Sequence, residues 1–122
     1  MANDSVYVDS SSVPWRDTPF VGVSWKKLLF DRETGRSAVL VKFEPGAVYD
    51  VHRHPAGEEY QVLEGSLEDG GRTRGAGTWV SHPPGSVHRP SSKEGCVLFI
   101  SLPEPVEPLS DDECREFLGL DR

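Results

Sequence analysis

The 122-residue sequence predicts an all-β domain, a jelly-roll sandwich or barrel of short strands with one short C-terminal helix. Three observations carry that expectation. Glycines and prolines punctuate the chain at the interval of about eight to twelve residues that separates strands in such folds. Between them apolar and polar residues alternate with the period of an extended chain. Only the last twenty positions carry a helix start signal, and the length suffices for a single core without disulfides.

Residues 1–14 read as a polar, serine-rich and loose segment in which Val6-Tyr7-Val8 can add a strand. Val21 to Leu29 is the next strand, with Val21, Val23 and Trp25 on one side. Asp31 to Arg36 is a hairpin loop with its glycine near the end, and Ala38 to Phe43 returns with Val39, Val41 and Phe43 on one face. Glu44-Pro45-Gly46-Ala47 fits a type II turn, because proline presets the first central dihedral and glycine accepts the positive second one. A strand from Val48 to His54 follows. The one after it, Glu58 to Glu64, places Glu58, Tyr60 and Val62 on one face and Glu59, Gln61 and Leu63 on the other, and Gly65 ends it. Asp69-Gly70-Gly71 is a turn; Thr78 to Ser81 and Cys96 to Ser101 complete the strands.

Residues 103–122 change character. Pro103, Pro105 and Pro108 make a stiff extended linker, and Ser110 to Glu113 form a capping box for a helix that Gly119 ends. Leu109 is placed to staple against Cys114. Packing on the sandwich through Phe117 and Leu118 is the plain expectation for this helix; a dimer contact or docking segment is the alternative.

His52 and His54 lie two apart, so on an extended chain both imidazoles leave the same face. Pro55-Ala56-Gly57 can bend the backbone and bring the Glu58 carboxylate to the same point. His88, in the glycine- and proline-bounded stretch from Gly77, is a fourth candidate. His82 fits none of these positions and reads as a neighbour of the site or a surface residue.

These positions resemble the two motifs of the cupin family. Gly46, five residues, His52-x-His54, Glu58 after three more and Gly65 after a further six fill the first motif. Gly77, Pro83, Gly85 and His88 fill the second, with Ser92 standing where the family often has Asn. The wording His52-Arg-His-Pro-Ala-Gly-Glu-Glu59, the following Val62-Leu-Glu-Gly65 and the late Glu94-Gly-Cys-Val-Leu-Phe99 are most similar to ChrR-like cupins, over roughly residues 15–102. That resemblance implies a cupin domain over 15–102 and one divalent transition metal per chain, held by His52, His54, Glu58 and His88. Iron(II) or zinc is the first expectation, with manganese, nickel or cobalt as alternatives. Glu58 is preferred to Glu59 because it keeps both motif counts. Tyr60, Trp79 and Phe99 can line a pocket, although aromatic residues in a sandwich are core first. Arg89 can orient an anionic substrate, although a surface ion pair is the plainer role.

A net charge of -7 argues against nucleic acid or anionic membrane as a partner, since either needs a basic surface. No stretch approaches the roughly twenty apolar residues of a membrane helix, and the amino terminus lacks the features of a signal peptide, so the expected location is cytoplasmic. Cys96 and Cys114 then read as free thiols. Two functional classes stay open. The resemblance implies a dioxygenase-like enzyme on a small dicarbonyl or enol, or a non-catalytic regulatory module like the cupin domain of ChrR-type anti-sigma factors. It also implies a homodimer, with Val6 to Val8 or Val21 to Trp25 as the natural edge.

Overall fold

The computed structural model describes residues 4–119. In chain order its strands are β1 Arg16–Asp17, β2 Val23–Phe30, β3 Ser37–Phe43, β4 Ala47–Val48, β5 His52–His54 and β6 Glu58–Asp69. Then come β7 Arg72–Gly75, β8 Trp79–His82, β9 Ser86–His88, β10 Ser91–Ser92, β11 Cys96–Leu102 and β12 Glu107–Pro108, before helix α1 Asp111–Leu118. The large sheet runs β1-β2-β3-β11-β6-β10-β4, with β7 and β8 also paired to β6, and β12-β5-β9 form a small sheet. Neighbouring strands are antiparallel, the jelly-roll arrangement of a half-barrel.

Strict alternation builds the core. On β3 Val39, Val41 and Phe43 point inward, where Leu98 and Ile100 of β11 and Tyr60, Val62 and Leu67 of β6 meet them. Each fully buried aliphatic side chain contributes about 1.5–3 kcal/mol. The hairpin from Phe30 to Ser37 closes as expected, with Asp31 N–H donating to the Arg36 carbonyl at 2.8 Å. In the Glu44-Ala47 turn, Ala47 N–H donates to the Glu44 carbonyl at 3.0 Å and Gly46 takes a φ of 88°.

Several expectations are corrected. Val21 does not begin β2: Val23 N–H donates to the Phe20 carbonyl at 3.1 Å, which puts Val21 and Gly22 at the centre of a tight turn, and Val21 is 93% exposed. Val6 to Val8 pairs with no strand among the described residues. The expected strand from Val48 to His54 is two strands in different sheets. Between them the Asp50 carboxylate accepts the Val51 N–H at 2.8 Å, ending one ladder before the other starts. Gly65 does not end β6, which continues to Asp69 so that Asp69 lies on the strand. Short strands also form at 72–75, 86–88 and 91–92, outside the strands read from the sequence.

The proline-rich segment is more than a spacer. Glu107 and Pro108 pair with Arg53 and His52 of β5. Helix α1 has the expected capping box, Ser110 Oγ accepting from Glu113 N–H while Glu113 Oε1 accepts from Ser110 N–H. It buries none of its residues, however, and Phe117 and Leu118 are 45% and 44% exposed. The helix is held instead by Arg53, whose guanidinium donates to Glu107 at 2.9 Å and Glu113 at 2.6 Å. No described helix is long and apolar enough to cross a membrane.

Candidate metal centre

The pairing of β5 with β9 sets His52 directly opposite His88, and the alternation along β5 sends His52 and His54 inward while Arg53 points out. The three Nε2 atoms form a triangle with every side 3.0 Å. The bend after His54 depends on Gly57: its φ is +85°, and a Cβ there would lie 2.6 Å from the His82 carbonyl oxygen. That bend starts β6 at Glu58, whose Oε1 sits 3.5 Å from His54 Nε2 and 3.6 Å from His88 Nε2.

The protonation chemistry of this cluster favours a cation. His52 Nδ1–H donates to the Asp50 carbonyl at 2.7 Å and His88 Nδ1–H to Asp69 Oδ1 at 3.0 Å, which leaves both Nε2 lone pairs free. Burial pushes His52 down to about 4 and His54 down to about 3, so both rings are neutral, the form that binds metal. Burial pushes the Glu58 carboxyl up to about 8. Its Oε1 is buried without a hydrogen-bond partner, as is His54 Nδ1. A divalent ion would take the three Nε2 lone pairs and neutralise the carboxylate, relieving the cost at Glu58; His54 Nδ1 faces away from it.

The spacing bears on the angles an ion would meet. Donors 3.0 Å apart subtend about 90–95° at an ion roughly 2.0–2.1 Å from each, the angle of one face of an octahedron. A tetrahedral ion at the same bond length needs donors about 3.3 Å apart.

Asp69 is the residue that the sequence reading missed. Its carboxylate accepts from His88 Nδ1, from Tyr60 Oη at 2.6 Å and from His82 Nε2 at 2.9 Å. Burial alone would raise its pKa, but the hydrogen bonds from His88, Tyr60 and His82 outweigh it and hold the group well below the usual carboxylate range. Tyr60 moves the other way, pushed up by burial and by Asp69. Asp69 reaches this place because β6 carries a bulge. Leu98 pairs with Val62 but Val97 pairs with Glu64, so Leu63 is an extra residue. Up to Val62 the even-numbered side chains face inward; beyond the bulge Leu67 and Asp69 do. The detectable signal was Gly65 within a strand-like run, a common mark of a bulge.

The histidines and Glu58 line one part of a cavity of about 200 Å³ whose other walls are mostly apolar, from Trp25, Val39, Val41, Leu98, Ile100 and Val106 among others. Tyr60 lines it too. Trp79 and Phe99 do not: they lie on the outer face of the large sheet, 59% and 37% exposed. Arg89 is outside as well, 3.5 Å from Asp50. His82 meets His88 edge to face, with ring centroids 4.8 Å apart and planes at 67°. Cys96 is buried and Cys114 half-buried, both as free thiols.

Residues 3–104 match the family described as the ChrR cupin-like domain. Among solved structures, a candidate acetylacetone dioxygenase from Methylibium petroleiphilum aligns with a TM-score of 0.83 at 22% identity, over 89% of this chain and 83% of that one. An acetylacetone dioxygenase from Acinetobacter johnsonii aligns at 0.77 and 18% identity, over 92% and 81%. The complex of SigE with the anti-sigma ChrR from Rhodobacter sphaeroides aligns at 0.65 and 25% identity, over 75% of this chain and half of that one. No curated protein matches the sequence.

Proposed function

The chain belongs to the ChrR cupin-like domain family, and from that premise we propose that it is a mononuclear metalloenzyme of the oxygen-using kind, acting on a small dicarbonyl or enol. His52, His54 and His88 would hold one divalent ion through Nε2, with Glu58 Oε1 as a fourth donor. The observation that carries this reading is the tight histidine triangle, which suits an octahedral ion, beside an apolar cavity able to take a substrate. A bound divalent ion supplies Lewis acidity, and as iron(II) a place for dioxygen chemistry, with coordination positions left beyond the protein donors. The protein's own share is positional. Asp69 and Asp50 fix two imidazoles in the binding tautomer, and the apolar walls exclude water.

One observation favours a regulatory metal module instead. Glu58 stands close enough to two of the histidines to complete a four-donor set, and a zinc ion in that set has no vacancy. Metal analysis of protein purified without a metal-affinity step, then nitric oxide addition to the iron(II) form, separates the two. One ion per chain and a nitric oxide spectrum support the enzyme; as-isolated zinc and an iron form inert to nitric oxide and to dicarbonyls overturn it.

We further infer a homodimer. The outer-face residues Trp79, Leu63 and Phe99 form an exposed apolar group on adjacent strands that a second copy can cover. Light scattering that gives 13.5 kDa at micromolar concentration would count against it.

A further inference from the structure

Among the side chains that line the cavity only Glu58, beside the histidines, is a carboxylic acid and only Lys27 carries an ammonium group. Lys27 lies on the same row of the sheet as the site: it pairs with Val39, Val39 with Ile100, and Ile100 with Tyr60. Three strand spacings separate its backbone from β6, about 14 Å. The ammonium group is gathered over aromatic rings, 4.5 Å from the centre of Trp25 and 5.3 Å from that of Phe30. No ion pair joins it to a carboxylate among the described residues.

A row that runs from an oxygen-seeking centre, over Ile100 and Val39, to a single cation is a template for a molecule with the complementary order. We propose that the cavity binds an amphipathic carboxylate, with oxygens for the metal at one end, a carbon body in the middle and an acid group against Lys27. One ammonium, without an arginine fork or a second donor, matches a carboxylate monoanion better than a phosphate dianion. In substrate terms this is a keto or enol acid rather than a neutral diketone. Only the head group rests on the metal reading; the acid end is tested without any metal.

The test compares sodium octanoate with 1-octanol by calorimetry on metal-free protein, in the wild type and in Lys27→Met, Lys27→Arg and Lys42→Met. Both probes fill the apolar body, and only the first carries the charge. Lys42 serves as the control because it carries the same charge outside the cavity, near Glu44 and Trp15. The ratio of octanoate to octanol affinity should fall about fivefold in Lys27→Met, the order of a partly exposed ion pair, with octanol itself hardly changed. Lys27→Arg should retain the ratio and Lys42→Met should leave it alone. A ratio unchanged in Lys27→Met, or reduced as much by Lys42→Met, overturns the proposal. A protein that never takes up a divalent ion would overturn the metal reading while this ratio still reports on Lys27, so the two failures are distinguishable.

Discussion

Asp69 gathers hydrogen bonds from His88, His82 and Tyr60 in a place almost without solvent, so its charge is needed by all three. Asp69→Asn keeps the shape but removes an acceptor, and His88 Nδ1 loses the partner that fixes its tautomer. Metal affinity should fall about 10–100-fold, measured by competition with a chromophoric chelator. Replacing both His52 and His54 by Ala should abolish binding, and full stoichiometry in that variant would sink the assignment of the site. Without metal the titrations pull in opposite directions. His52 and His54 have folded values of about 4 and about 3, below their ordinary 6.5, so the unfolded chain protonates first. The stability tied to keeping them neutral is complete above 6.5 and is lost as pH falls towards those values. Glu58, raised from 4.5 to about 8, contributes stability that is complete below 4.5 and is lost as pH rises towards 8. Metal-free Glu58→Gln should therefore melt above the wild type near pH 9, a gain that shrinks on acidification. The same variant should bind metal more weakly if Glu58 is a ligand, and should keep the metal but change the rate if it serves only the reaction.

At the scale of elements, the histidines and Glu58 were legible because their spacing is local: two residues on one strand, a three-residue bend, and a turn marked by Pro83 and Gly85. Asp69 was not, because alternation counts correctly only until a strand gains a residue, and Leu63 is chemically ordinary. The split between β4 and β5 was hidden for a related reason. Its cause is a hydrogen bond from Val51 N–H to Asp50, which no apolar pattern records. The C-terminal segment shows tertiary contacts overriding local character. Its capping box was readable, but its hold on the body comes from Arg53, placed between the two β5 histidines. Arg53→Met should therefore speed amide exchange over residues 107–119 by severalfold while the β3–β11 ladder keeps its protection, since partly exposed ion pairs contribute about 1 kcal/mol or less each. Equal exchange in both proteins would mean that the β12 pairing alone holds the segment.

Across the whole molecule, the candidate centre joins the two sheets: three histidines come from the small one, Glu58 and Asp69 from the large one. An ion bound there at 100 times its dissociation constant adds about 2.7 kcal/mol to the stability of the entire fold. A chelator should accordingly lower the melting temperature by about 10 °C for a domain of this size, and should leave the His52→Ala, His54→Ala variant unmoved. The bulge at Leu63 has a further meaning for how such a chain can change over descent. Loss of the Leu63 codon would take out the extra residue and leave a regular strand in which Leu67 and Asp69 still face inward. At the bulge a deletion is the mild event; one residue lost from 64–66 with the bulge kept would be a frameshift written in side chains, turning Glu68 inward and Asp69 outward.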